Sequence, residues 1–324
     1  MSIAMQSSLS IDSGERPKRA ATKVRNYQVW PGKNTFICKG RLIMGPDTNI
    51  LCVTVSLITF PSAVFVGLVA LDLYEKAGSS GPVILAFSIF LPLWCLLMLG
   101  ITSSSDPGII PRCPPPANGS SNISRARTVQ VNGHFVKSKY CNTCNLYRPP
   151  RCSHCGVCDN CVERFDHHCP WVGQCIGKRN YRYFILFITS TTTLCAYVFI
   201  CSSYLIKIRL DDLREGDGKA SVWDAIAKEP AAMTLIVLVF CVIWFVGGLS
   251  IFHSYLIYTN QTTNENFRYR QDMQDNPYNL GGFRNYLDIL CSSTEPSKLT
   301  LRAVAPEVKR PATDVADVQI SITE

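Results

Sequence analysis

Charge is scarce in this chain. Asp, Glu, Lys and Arg make up only 17% of residues, against 47% hydrophobic ones. That deficit argues against an ordinary water-exposed surface and for a membrane. Mean hydropathy is only mildly positive, so apolar stretches must alternate with polar ones. A cleavable leader is missing too. Lys18, Arg19, Lys23 and Arg25 lie in a polar stretch far from any apolar core, with no small-residue cleavage site at the right spacing. Residues 1–49 are therefore expected to remain as a polar arm. The C-terminus carries no lipidation ending, and no long internal repeat is present. The charge that does occur is basic, with a net value of +8. Such a balance suits a nucleic acid, an anionic membrane face or a polyanionic ligand. The cations flank apolar runs and are not interleaved with aromatics on a free domain, which argues against nucleic acid.

Four long apolar runs account for the composition. Residues 50–71 and 82–101 carry no charge, 183–206 is uncharged between Arg182 and Lys207, and 233–258 contains only His253 as an ionisable group. A helix crosses a bilayer core with about 20 such residues. Four of them together favour membrane spans over core helices of a soluble protein. Pro61, Pro92 and Thr189, Thr191, Thr192 and Thr193 are tolerable within spans, where neighbours satisfy the freed polar groups. The spans lack the paired charges and broken-helix repeats of a transporter. An even number of spans puts both termini on one side. Lys and Arg are dense in the N-terminal arm and in 102–182, which places both in the cytosol; the second outer loop, 207–232, is unexpectedly basic as well.

The expected architecture is thus an all-α polytopic membrane protein. It has a cytosolic arm (1–49), spans 1 and 2 (50–101) and a cytosolic linker with a cysteine-rich domain (102–182, core 139–182). Spans 3 and 4 (183–258) and a C-terminal region (259–324) follow. Residues 112–128 read as a flexible linker and 295–324 as disordered. Asn118 and Asn122 form glycosylation sequons that a cytosolic loop would never present to the enzyme. Phe283, Tyr286, Leu287 and Leu290 fall at helical spacing and predict a short interfacial helix.

Eight of the sixteen cysteines fall between Cys141 and Cys175, mixed with three histidines. The order is Cys141-x2-Cys144-x9-His154-Cys155-x2-Cys158-x2-Cys161-x6-His168-Cys169-x5-Cys175. Disulfide frameworks belong to small secreted domains. Paired C-x2-C units with interposed histidines in a long chain instead have zinc spacing on a reducing side of the membrane. With Cys152 and His167 the segment offers eleven candidate ligands. Two closed tetrahedral sites use eight and leave three spare. A purely structural module with idle leftovers is one reading. The other starts from Asp166-His167-His168-Cys169, which brings a carboxylate, imidazoles and a thiol together. A thiol is mostly protonated at neutral pH; a histidine can take its proton while an aspartate fixes the imidazole tautomer. Spacing alone does not divide the histidines between zinc and catalysis.

The run CGVCDNCVERFDHHCPWVGQC, residues 155–175, resembles the cysteine-rich domain of the DHHC protein S-acyltransferases. Three satellite motifs extend the resemblance over about two-thirds of the chain. Asp106-Pro107-Gly108 follows span 2, Thr262-Thr263-Asn264-Glu265 follows span 4, and Asn276-Pro277-Tyr278-Asn279-Leu280-Gly281 with Asn285 comes last. The NENFRYR and NPYN stretches look like the plant-type subgroup.

The resemblance implies two structural zinc ions. One is held by Cys141, Cys144, His154 and Cys161, the other by Cys155, Cys158, His168 and Cys175. It implies Cys169 as the acylated nucleophile, His167 as base, Asp166 as its orienter and Thr263 in contact with Asp166. Cys152 is left as a packing residue and Asn276 as a structural one; the alternative role for Thr263 is a helix cap, with Glu265 as its capping partner. Acyl-CoA, such as palmitoyl-CoA, is the implied donor. Its tail would lie among the spans, where each buried methylene contributes about 0.8 kcal/mol. Its head would meet cations, with Arg148, Arg151, Lys178, Arg179 and Arg182 as candidates and lipid head groups as their commoner ligand. Trp171 would stand near the acyl carbonyl or serve as an interfacial anchor. The implied acceptors are membrane-associated proteins with cytosolic cysteines. The implied setting is the endomembrane system (Golgi, ER or vesicles) or the plasma membrane. His253 matches no family motif and is assigned a structural role.

Overall fold

The four uncharged runs fold as helices long and apolar enough to cross a membrane. The computed structural model describes residues 23–115, 124–216, 218–268 and 276–306; Lys18, Arg19 and the two sequons lie outside them. Helix α1 (Thr48–Phe65) passes through a π-helical turn, Val66–Ala70, into α2 (Leu71–Lys76). Pro61 removes one rung of the hydrogen-bond ladder just before that wider turn. Helices α3 (Gly81–Ser104), α4 (Tyr181–Gly216), α5 (Val222–Lys228) and α6 (Pro230–Tyr258) follow. α4 is the hub and packs most extensively on α6 and α3. Phe60, Leu93, Trp244 and Ile251 remain largely exposed on the outer faces, a surface that suits lipid and not water.

The predicted outer loop 207–232 is largely helical. α4 continues past Ile206 to Gly216, and α5 follows. Two of the cations that crowd it are met by acids: Lys207 pairs with Asp211 at 2.6 Å, and Arg209 with Glu229 and, at 3.4 Å, Asp72.

The all-α expectation is corrected by ten short strands among the described residues. An N-terminal hairpin, β1 (Thr35–Ile37) and β2 (Leu42–Met44), gives the polar arm a folded part. Between α3 and α4 run β3 (Ile109–Ile110), β4 (Ala126–Val131), β5 (His134–Cys141), β6 (Leu146–Tyr147), β7 (Ser153–Cys155), β8 (Asn160–Val162), β9 (His167–Cys169) and β10 (Gln174–Ile176). They pair antiparallel in the orders β3-β8-β7, β4-β5-β6 and β10-β9. Strands this short bury little by themselves; their hairpins are held by the side chains they bring together. β4 also shortens the expected linker, whose residues 116–123 lie outside the described ones.

Polar side chains fasten this domain to the spans. Gln174 Nε2 donates to the carbonyls of Ile43, Ser103 and Ser105 at 3.0, 3.0 and 2.7 Å. The Thr54 hydroxyl of α1 donates to the Trp171 carbonyl at 2.8 Å. Gly45 meets the turn at Gly173 so closely that a Cβ would fall 2.2 Å from the Gly173 carbonyl oxygen. Asp106 closes a turn by accepting from the N–H groups of Gly108 and Ile109, both at 2.9 Å, with Gly108 at φ +107, a conformation that favours glycine.

Beyond α6 come α7 (Thr263–Arg268) and α8 (Gly282–Cys291). The last carbonyls of α6 have no partner within the helix, and asparagines supply one. Asn276 Nδ2 donates to the carbonyls of Thr259 and Asn260, and Asn285 Nδ2 to that of Tyr258. The structural role expected for Asn276 is the one observed. α8 turns Asn285 and Ile289 inward and leaves Phe283, Leu287 and Leu290 exposed, as its periodicity predicted. The C-terminal tail differs from expectation: residues 295–306 are ordered as a strap. Glu295 pairs with Lys178 at 2.7 Å, Ser297 donates to Asp106, Lys298 pairs with Glu163, and Leu299 packs on the zinc-type domain. The remaining residues, 307–324, lie outside the described ones.

Candidate active site and metal clusters

Each C-x2-C pair sits in a tight turn, and each meets two ligands from a hairpin. In β7–β8, His154 lies directly opposite Cys161; in β9–β10, His168 lies opposite Cys175. Alternation along β7 sends His154 to one face and its neighbour Cys155 to the other, so one hairpin serves both clusters. The result is Cys141, Cys144, His154 and Cys161 in one group and Cys155, Cys158, His168 and Cys175 in the second, with ligand atoms within 4.8 Å of one another. These are the two sets implied by the sequence resemblance. In the first group the sulfurs stand 3.5, 3.5 and 3.8 Å from His154 Nδ1; in the second, 3.8, 3.4 and 3.6 Å from His168 Nδ1. A tetrahedron with zinc–sulfur bonds of about 2.3 Å and zinc–nitrogen bonds of about 2.0 Å has edges of roughly this length. Both clusters can hold a metal ion.

Each metal-facing histidine turns its other nitrogen to a carboxylate. His168 Nε2 meets Asp47 at 2.7 Å and His154 Nε2 meets Asp159 at 3.3 Å. Such partners fix the tautomer and orient the ring. Asp47 occupies the cap position of α1 yet makes no side-chain cap bond, because its carboxylate is spent on His168. Sequence reasoning missed both aspartates. Cys152 packs beside the first cluster, in keeping with a filler role.

β9 also separates the two histidines. His168 faces the metal cluster, so His167 and Cys169, two residues apart, share the opposite face. His167 Nδ1 lies 2.7 Å from Asp166 Oδ2. Asp166 is 3% exposed and accepts from the Thr263 N–H at 2.9 Å and the Thr263 hydroxyl at 2.7 Å. Thr263 thus touches Asp166 as the resemblance implied. The capping bonds of α7 belong to Thr262 and Glu265, which bond each other's backbone N–H at 2.9 and 3.1 Å. Burial works against charge on Asp166, but the bonds from His167 and Thr263 hold its carboxyl below the usual range. Burial likewise opposes the His167 imidazolium, yet the hydrogen bond to Asp166 and the neighbouring Cys169 outweigh it and raise its pKa to about 9.

Cys169 opens onto a cavity of about 450 Å³ among α1, α4 and α6. Thr54, Trp171 and Phe184 line it near the thiol; Leu194, Val198, Leu235 and Val239 line it further along the helices. Phe184 to Val198 is fourteen residues of α4, roughly 21 Å at 1.5 Å per residue. Trp171 is 48% exposed.

The cations expected to face a phosphate are differently employed. Arg151 is corrected: its guanidinium makes paired bonds to Glu265 at 2.8 and 2.7 Å and further bonds to Asn260 at 2.9 and 3.0 Å, over the ring of Tyr278. It clamps α7 to the metal-binding domain with four of its five N–H donors. Arg148 lines a second groove of about 610 Å³ with Lys137, Lys139 and Arg268. Lys178, Arg179 and Arg182 lie beneath the C-terminal strap, Arg182 donating to the Ile289 carbonyl at 3.0 Å.

The profile of the DHHC palmitoyltransferase family matches residues 134–270. The chain is 47% identical over 298 residues to probable protein S-acyltransferase 7 of Arabidopsis thaliana, covering 87% of this chain and 66% of that protein. It is 47% identical to probable protein S-acyltransferase 6 (87% and 71%) and 46% identical to protein S-acyltransferase 8 (87% and 73%), both from the same plant.

Proposed function

This chain belongs to the DHHC palmitoyltransferase family of protein S-acyltransferases, and on that premise we propose that it moves a long-chain acyl group from acyl-CoA to protein cysteines through an acyl-Cys169 intermediate. The observation that carries the reading is the shared face of β9, which sets the Cys169 thiol and His167 together at the head of an apolar cavity. His167 takes the proton of Cys169, and buried Asp166 stabilises the imidazolium that forms. The thiolate attacks the thioester carbonyl, the carbon–sulfur bond to coenzyme A breaks, and the departing thiolate takes the proton from His167. An acceptor cysteine then gives its proton to His167 and attacks the acyl-enzyme, which restores the Cys169 thiolate. One thioester replaces another in each step, so no external energy source is needed.

The cavity suits the tail. An extended chain covers about 3.5 Å per three bonds, so roughly 21 Å takes about eighteen bonds, enough for a palmitoyl chain. Zinc is the metal that the Cys3His sets fit, and closed sites of this kind supply folding energy and no chemistry. Trp171, in the cavity wall with Cys169, is our candidate for holding the donor near the mouth; Lys178 would serve only by leaving Glu295, and Arg148 from the second groove. Lys and Arg near the span ends, with thiol ligands that need a reducing compartment, support a cytosolic active site and termini. We place the protein in the endomembrane system or plasma membrane, acting on membrane-associated proteins.

The test is mass mapping of purified protein given acyl-CoA donors. A thioester on Cys169, lost in Cys169→Ser while two zinc ions stay bound, supports the reading; equal labelling of Cys169→Ser contradicts it.

A further inference from the structure

Behind the Asp166–His167 pair lies a third polar group that the reaction scheme does not use. His253 projects from α6, is 1% exposed, and packs against Phe184 and Phe252 with ring centroids 5.0 and 5.6 Å away. An apolar ring would fill that wall equally well. A polar ring buried among apolar groups costs free energy unless its partners compensate, and an ionisable side chain within a span is a functional candidate for that reason. His253 has two sets of partners. On one side its Nδ1 lies 3.0 Å from the Tyr181 hydroxyl at the start of α4. That bond fixes the ring plane, and with the hydroxyl as donor the ring proton sits on Nε2. On the other side, a ring nitrogen of His253, one of His167 and a carboxylate oxygen of Asp166 all fall within 4.8 Å of one another. The His253 and His167 rings are 5.9 Å apart between centroids. Phe184 bridges them, packed edge-on against both.

We propose that His253 is a positioning residue for acyl transfer. Locked by Tyr181, it holds a fixed dipole against the Asp166–His167 pair and keeps His167 aimed at Cys169. Tyr181, His253, Asp166 and His167 then form one polar chain that enters the site from the third and fourth spans, opposite the chain that enters from α7 through Thr263. This rests on the acyl-transfer reading above. In a dry site a preset dipole acts without reorganising during the reaction, and partners of this kind set rates over roughly 10- to 100-fold.

The experiment uses the full-length protein in lipid nanodiscs and follows single-turnover acylation of Cys169 over a range of palmitoyl-CoA concentrations. His253→Phe, which keeps the volume, is expected to slow the saturated rate about 10- to 100-fold, with the half-saturating donor concentration unchanged. His253→Gln, which restores a polar side chain, should recover part of the loss. Tyr181→Phe, which removes one oxygen, should slow the step in the same direction. Because His253 acts through Asp166, His253→Phe should add little in an Asp166→Asn background. Three results would overturn the proposal: a His253→Phe rate within about twofold of wild type, an equal slowing by His253→Phe with and without Asp166, or a third metal ion bound stoichiometrically, which would make the cluster a metal site. If wild type itself leaves Cys169 unmodified, the acyl-transfer reading fails, which is a separate outcome.

Discussion

A plug in the cavity should shorten the acyl chain that the enzyme prefers. Leu194 lines the cavity on α4, one turn before its deepest α4 residue, Val198. From Phe184 to Leu194 is ten residues, roughly 15 Å of helix against 21 Å to Val198. At about 3.5 Å per three bonds, the open length falls from about eighteen bonds to about thirteen. Leu194→Trp therefore takes room from about five methylenes. At about 0.8 kcal/mol each, the longer donor loses about 4 kcal/mol relative to one that still fits, a factor of roughly 700. The assay offers graded acyl-CoA donors in competition and reads the mass of the Cys169 adduct. Wild type should favour donors of about sixteen carbons and Leu194→Trp donors of about eleven. Two bound zinc ions and a normal melting transition establish that the variant is folded. An unchanged length profile in such a folded variant would refute the assignment of this cavity to the acyl tail.

Other consequences concern the groups around the thiol. Asp166 is the main source of the raised His167 pKa, so Asp166→Asn should lower the His167 titration, followed by NMR of the labelled imidazole, from about 9 toward its ordinary value of about 6.5, with burial and the Cys169 neighbour acting in opposite directions. The sign carries into stability: a raised histidine pKa stabilises the fold fully below about 6.5 and loses that contribution as pH rises through about 9. Wild type and Asp166→Asn should therefore converge in thermal stability at alkaline pH. Asp47→Asn removes the carboxylate behind His168 and should weaken the second zinc about 10- to 100-fold, so that a chelator strips one metal well before the other; loss of both together would contradict it. Arg151→Ala leaves Glu265 buried without its partner and should cost about 3–5 kcal/mol of stability, seen as a lower melting temperature, whereas a raised half-saturating acyl-CoA concentration in a stable protein would return Arg151 to the donor site.

What the sequence disclosed follows from which forces act locally. Four apolar runs gave four helices because a bilayer demands length and apolarity alone. The ligand sets were legible in spacing together with resemblance. The division between His167 and His168 was not, since it depends on β9 being a strand: side-chain alternation then forces neighbouring histidines apart. Most of the strands are two or three residues long and carry no periodicity to recognise; the exception is the β4–β5 hairpin, whose Asn132-Gly133 turn was a signal that the all-α expectation passed over. Asp47 could not be seen from its position, 121 residues before its histidine. Arg151 looked like a free cation because its partner, Glu265, comes from the far side of two spans. The strap at 295–306 is polar enough to read as disordered, and its order depends on Lys178, Arg179 and Glu163, which composition does not reveal.

The central claim is that Cys169 carries the acyl group. Wild-type protein with palmitoyl-CoA should show one hydroxylamine-labile palmitoyl adduct on the peptide containing Cys169, and Cys169→Ser with both zinc ions bound should show none. A palmitoyl adduct that persists in that folded variant, with acceptor proteins still modified, would contradict the account.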